Sequence, residues 1–129
     1  MLAVAEDAAL KEGLNIDFHL ASLEDHLPFD ACMFDLVICA LTLTHIPNMA
    51  NVMQEFHRVL NRKGYLLVTD FHPDSLAQGW RTEFSEGGIT YQLPNMKYTR
   101  TDYLKAIKDS GFNLLKVIDV PIHDVPKGY

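Results

Sequence analysis

Positive charge is scarce in this chain: 11 Lys and Arg stand against 17 Asp and Glu over 129 residues, a formal net charge of -6 at pH 7. Duplex binding draws on a basic face that releases counterions from phosphates, so the balance argues against nucleic acid as a partner. Long apolar runs are missing as well. The longest, around Leu36 to Leu43, is interrupted by Thr42 and falls well short of the ~20 residues that cross a bilayer, so no membrane span is expected. Glu6 and Asp7 stand where a secretory leader carries positive charge, so the start of the chain does not read as a targeting segment, and a cytoplasmic location follows. Cysteine is limited to Cys32 and Cys39, outside any CxxC pattern. One such pair builds neither a disulfide framework nor a zinc ribbon, and Cys39 reads as a small buried hydrophobe. The glycines, at 13, 64, 79, 87, 88, 111 and 128, nowhere form GxG. GxSxG and Walker-type loops are also missing, which argues against a hydrolase or nucleotide hydrolase.

What is present is a globular composition, 48% hydrophobic and 22% charged, of a length that makes one domain over residues 1–129. Met1 to Glu12 is rich in Ala, Leu, Glu and Lys and runs into Gly13, the pattern of a helix and its stop. Asn15 to Leu20 alternates, with Ile16, Phe18 and Leu20 on one face, and predicts a half-exposed strand. Phe34 to Leu41 is a continuous apolar run, which predicts a parallel strand covered on both faces. Pro47 suits the first turn of a helix, and Met49, Val52, Met53, Phe56, Val59 and Leu60 follow at spacings of three and four. Gly64 is the expected helix end, before a second apolar strand over Tyr65 to Thr69 closed by Asp70. Strand, helix, strand makes a βαβ unit. Phe71 to Tyr98 has no clean period and reads as a long excursion. Thr101 is the expected cap of a helix running through Ser110, with a further strand over Phe112 to Val120.

Asp70, His72 and Asp74 alternate in a way that sets ligands on one face. Without a further clustered ligand they read as a polar loop, and no metal is expected. Trp80, Phe84, Tyr91 and Tyr98 suit an acceptor pocket, a core or an interface equally. His45 is the one side chain near the end of the first apolar strand that titrates near neutrality, the property of a general base. The alternative is a ring that only satisfies backbone groups ahead of the helix.

The string LPFDACMFDLVICALTLTHI, followed by EFHRVLNRKGYLLVTD, resembles the middle of class I S-adenosylmethionine-dependent methyltransferases, in particular the small-molecule group of ubiquinone and menaquinone biosynthesis. The resemblance implies an α/β fold with a partial Rossmann-like, mostly parallel sheet. It also implies that the family's first two strands and its Gly-rich cofactor turn have no counterpart here, as in an N-terminally truncated domain. The strand at Ile16 to Leu20 would then lie three spacings of ~4.8 Å, roughly 14 Å, from the Phe34 to Leu41 strand. A bare apolar edge results, which is a template for a second copy, so a homodimer is expected.

Carried onto this sequence, the family pattern sets Ser22 and Leu23 where an Asp usually contacts the adenine amino group. Ser22 departs from that pattern and, taken alone, is a polar turn residue. Ala40 and Leu41, with the Thr42 to His45 segment, would line the sulfonium end of the cofactor S-adenosylmethionine. Methyl transfer is a displacement that gains chiefly from alignment and exclusion of water, which small and apolar residues serve. The resemblance thus implies methyl transfer to a small-molecule acceptor, with His45 as the base if one is needed. The alternatives are a non-catalytic dimeric scaffold derived from such an enzyme, or one half of a split enzyme.

Overall fold

A computed structural model describes residues 2–120. In chain order these form α1 (Leu2–Lys11), β1 (Phe34–Ala40), a single 3-10 turn (Leu43–His45), α2 (Met49–Val59), β2 (Leu60–Thr69), α3 (Pro73–Ala77), the hairpin β3 (Glu83–Glu86) and β4 (Ile89–Gln92), and α4 (Arg100–Asp109). β1 and β2 pair in parallel, with Leu36 opposite Tyr65, Ile38 opposite Leu67 and Ala40 opposite Thr69. They form the α/β unit that the sequence predicts, with α2 as the crossover.

The core follows from the spacing of α2. Met49, Val52, Met53, Phe56 and Val59 are all buried and meet Cys39 of β1, Leu43 of the turn and Ala106 of α4. Burying one such side chain contributes about 1.5–3 kcal/mol, so this single helix face dominates the stability of the unit. The helix begins two residues later than Pro47 suggests, at Met49: Asn48 is the cap, its side chain accepting from the Asn51 N–H. It also ends before Gly64. Leu60 already has extended backbone while its N–H still bonds the Phe56 carbonyl. Gly64 lies instead inside β2, where the register shifts between Phe34 and Leu36. A side chain there would meet Leu60 at 2.7 Å and the Phe34 carbonyl at 3.1 Å, so the bulge needs a glycine for close approach.

Further expectations give way to the structure. Asn15 to Leu20 forms no strand, and Phe112 to Val120 forms none either. A strand needs a partner for its backbone groups, and spaces separate both segments from the sheet. A cavity of 340 Å³ lies between His19–Leu23 and the Leu36–Val37 edge of β1. A wider cleft of 1310 Å³ separates β2 from residues 112–119. The apolar run of β1 is covered on one face only: Leu36 and Ile38, with Tyr65 and Leu67 beside them, are 53, 60, 61 and 51% exposed. α2 and α4 pack on the other face, through Val37, Leu66 and Val68.

The excursion is ordered, holding α3 and a hairpin whose two-residue turn is Gly87-Gly88, both with positive φ. That is the backbone which tight two-residue turns require. Finally, Thr99 rather than Thr101 caps α4, in a reciprocal pair with Asp102. At its other end the Gly111 N–H bonds the Lys108 carbonyl and the Phe112 N–H the Ile107 carbonyl, with Gly111 at φ +88.

The Leu27-Pro28-Phe29 turn is held by two side chains of α2. Arg58 donates to the carbonyls of Phe29 at 2.8 Å and Leu27 at 3.1 Å, while Glu55 accepts from the Leu27 N–H at 3.0 Å. The two side chains also pair with each other at 2.8 and 2.9 Å. The Arg58 guanidinium and the Leu27 N–H hold the Glu55 carboxyl down to about 2, from an ordinary value near 4.5. A depressed carboxyl stabilises the fold fully above the unfolded value and loses that contribution as pH falls toward the folded one. Glu55→Gln is therefore expected to be about 1–3 kcal/mol less stable at neutral pH and to show a flatter stability profile than the parent between pH 4.5 and 2. Denaturant titrations across that window measure both; equal slopes in parent and variant would contradict the assignment.

Candidate functional site

Parallel pairing brings the C-terminal ends of β1 and β2 side by side, and the candidate site is the turn that leaves this edge. After Ala40 the chain bends through Leu41, whose φ of +52 costs a residue with a Cβ about 1–2 kcal/mol. The bend is enforced from both sides. The Leu41 N–H bonds the Thr69 carbonyl at 2.8 Å, and the Thr42 hydroxyl donates back to the Ala40 carbonyl at 2.7 Å. The 3-10 turn then closes, with the His45 N–H on the Thr42 carbonyl at 2.9 Å. Leu43 and Thr44 are fully buried, which anchors the turn in the core and leaves His45 half-buried at its end.

Asp70, the first residue after β2, ties this turn to the rest of the domain. Its carboxylate accepts from the Thr44 N–H at 2.8 Å, the Phe71 N–H at 2.9 Å and the Tyr103 hydroxyl of α4 at 2.8 Å. Burial first, and then the adjacent Asp70 charge, push the Tyr103 hydroxyl well above the usual phenol range, so it serves only as a donor. Asp70 is thus committed to three protein donors. His72 is likewise engaged: Nδ1 accepts from the Asp74 N–H at 3.2 Å, and Nε2 lies 3.6 Å from Asp119. Among the described residues no group of His, Cys, Asp or Glu is arranged to hold a metal ion.

On its other flank the turn meets the strap 94–98. His45 Nδ1 lies 2.7 Å from the Pro94 carbonyl, and the Met96 N–H donates to the Thr44 carbonyl at 2.7 Å. The Asn95 amide reaches the Thr44 hydroxyl at 3.5 Å. The Tyr98 hydroxyl accepts from the Met49 N–H at 3.2 Å and shares its proton between the Ile46 and Pro47 carbonyls at 2.8 and 2.7 Å. His45 therefore sits on a turn fixed in the core beneath it, by Asp70 on one side and by the strap on the other.

Of the residues singled out in the sequence, Ala40, Leu41 and His45 share this edge. The Ser22 hydroxyl accepts from the Glu24 N–H at 3.1 Å in its own turn, and Leu23 packs toward the core beside the 340 Å³ cavity that it shares with Leu36 and Val37 of β1. Sequence reasoning missed Asn95 and Tyr103 and read Asp70 only as a loop residue. A lone acidic residue closing an apolar strand was the available signal. Cys39 is buried, and that burial pushes its thiol up, away from reactivity.

The methyltransferase-domain family model matches residues 1–68, and the chain belongs to that family. The chain is 42% identical over 73 residues to the ubiquinone/menaquinone biosynthesis C-methyltransferase UbiE of Sinorhizobium fredii, a match covering 55% of this chain and 28% of that protein. It is 30% identical over 129 residues to the methyltransferase GfsG of Streptomyces halstedii, covering 98% of this chain and 46% of that protein. It thus spans less than half the length of these relatives. The crystal structure of an S-adenosylmethionine-dependent methyltransferase from Mesorhizobium loti superimposes with a TM-score of 0.69 at 20% identity, over 90% of this chain and 61% of that one. One from Aquifex aeolicus gives 0.64 at 21%, over 90% and 55%. The fold is that of these enzymes. Among the described residues no helix is long and apolar enough to cross a membrane.

Because Tyr103 reaches across from α4 to the shared carboxylate, Tyr103→Phe is expected to destabilise the domain by about 1–2 kcal/mol, the range for a hydrogen bond to a charged acceptor that keeps other donors. Urea unfolding of parent and variant measures the difference, and a loss near zero would show that Asp70 does not depend on the phenol.

Proposed function

We propose that this chain carries the acceptor side of a methyl-transfer site, with S-adenosylmethionine as donor and a small molecule as acceptor. The observation that carries the reading is the grouping of Ala40, Leu41 and His45 at the C-terminal edge of a parallel pair, where open α/β sheets bind ligands. When bound, S-adenosylmethionine supplies an electrophilic methyl group. Ala40 and Leu41 offer it an apolar lining, and His45 takes a proton from an oxygen or nitrogen acceptor where one must be removed. The residues present fit only part of the donor. The glycines form no GxG turn, and Ser22, which would sit near adenine, spends its hydroxyl on its own turn.

A second reading, a non-catalytic dimeric scaffold, is favoured by the exposed surface. Leu36, Ile38, Tyr65 and Leu67 form one apolar face that is 51–61% exposed, the kind of surface that a partner covers. In either reading two copies associate, completing the sheet or core beyond β1. The same proposal treats residues 1–129 as one unit working in the cytoplasm, in keeping with the two free cysteines.

Calorimetric titration of the purified chain with S-adenosylmethionine and S-adenosylhomocysteine, with light scattering on the same sample, tests both points. Saturable binding at micromolar concentration and a dimer mass are expected. Absence of heat would overturn the donor-binding reading and leave the scaffold, and a stable monomer would overturn the dimer.

A further inference from the structure

We propose that the strap residues Pro94 and Asn95 are positioning residues that hold His45 as the Nδ1–H tautomer, so that Nε2 is the nitrogen open to a proton. The role of that nitrogen in methyl transfer rests on the function proposed above; the tautomer itself rests on geometry. A carbonyl oxygen only accepts. With His45 Nδ1 at 2.7 Å from the Pro94 carbonyl, Nδ1 carries the hydrogen, and a neutral imidazole has just one. Nε2 therefore keeps its lone pair. The opposite tautomer would set two lone pairs against each other at that distance.

The contact is useful only if the carbonyl stays where it is, and the next two residues see to that. Asn95 Oδ1 accepts from the Thr82 N–H at 3.0 Å, and its amide donates to the Thr82 hydroxyl at 3.0 Å and toward Thr44 at 3.5 Å. The Met96 N–H closes on the Thr44 carbonyl at 2.7 Å. Thr44, the neighbour of His45, is fully buried and held from behind by Asp70 at 2.8 Å. Ring and carbonyl are thus fixed to one frame. Thr82 also bonds Leu93 across the foot of the β3–β4 hairpin at 2.9 Å, so Asn95 is the side chain through which the hairpin's base reaches the His45 turn. Fixing the tautomer by a hydrogen bond on the far nitrogen is a recurrent way to aim a histidine.

The test is nitrogen-15 correlation spectroscopy of the His45 ring in the full chain, at a pH well above the histidine range so that the ring is neutral. The unfolded chain in urea serves as the reference mixture. The parent is expected to show protonated Nδ1 and bare Nε2, with a tautomer ratio displaced at least roughly fivefold from the reference, as a hydrogen bond of ordinary net strength implies. Asn95→Ala, which removes the side-chain bonds to Thr82 and to the Thr44 hydroxyl and leaves the strap on the Met96 bond alone, is expected to return the ratio toward the reference; a residue with only a structural role would lower stability and leave the ratio alone. Protonated Nε2 in the parent overturns the proposal even if the variant does not fold, and an unchanged ratio in folded Asn95→Ala overturns the part played by Asn95. Since no donor or acceptor molecule is added, a failure to bind S-adenosylmethionine leaves this result standing.

Discussion

Parallel pairing of β1 with β2 is the constraint on which the rest of the structure depends. Two parallel strands end on the same edge, and the chain must cross over the sheet to connect them. α2 makes that crossover and brings the five buried side chains that supply most of the core. Because both strands stop together, Leu41 can bond back to Thr69, and Asp70 can reach Thr44 of the turn that leaves β1. The site edge is therefore a product of topology, and the polar contacts refine it.

How much of this was legible in the sequence varies with the range of the interaction responsible. The face of α2 was readable up to Val59, because Met49, Val52, Met53, Phe56 and Val59 repeat with the helix; Leu60 fits the same spacing but opens β2. β1 and β2 were readable as strands from their apolar runs. Their coverage was not, since a run of Leu, Val and Ile says that both faces are apolar and cannot say whether a helix is there to cover them. Ile16, Phe18 and Leu20 alternate as a strand would, yet form none, because alternation describes side chains whereas a strand also needs a neighbouring backbone. The Gly87-Gly88 turn was visible as a pair of glycines, but the flanking hairpin is exposed along its length and so lacks the hydrophobic period that would announce it.

The site divides in the same way. Ala40, Leu41 and His45 were identifiable because they follow the strand directly. Tyr103 and Asn95 were not. They lie 33 and 51 residues from the groups they hold, Asp70 and Thr44, and only the packing of α4 and the strap brings them near. The pairing of Glu55 and Arg58 with the Leu27–Phe29 turn shows why a short turn and a helix end can recur together in one sequence pattern: the guanidinium and carboxylate hold its backbone groups. Membership of the methyltransferase family accounts for the order of these parts. Leu36, Ile38, Tyr65 and Leu67 remain exposed on the face of the sheet opposite α2.

Native-state hydrogen exchange, residue by residue, tests the central claim most directly. If β1, α2 and β2 form the stable unit, the amides of Val37, Cys39 and Leu41 and of Leu67, which alternate pairing bonds across the two strands, and those of the buried face of α2 will exchange only through global unfolding. Those of residues 15–20 and 113–119 will exchange at rates close to an unstructured chain. Protection of residues 15–20 equal to that of α2, or early exchange at Val37, Cys39 and Leu41, would contradict it.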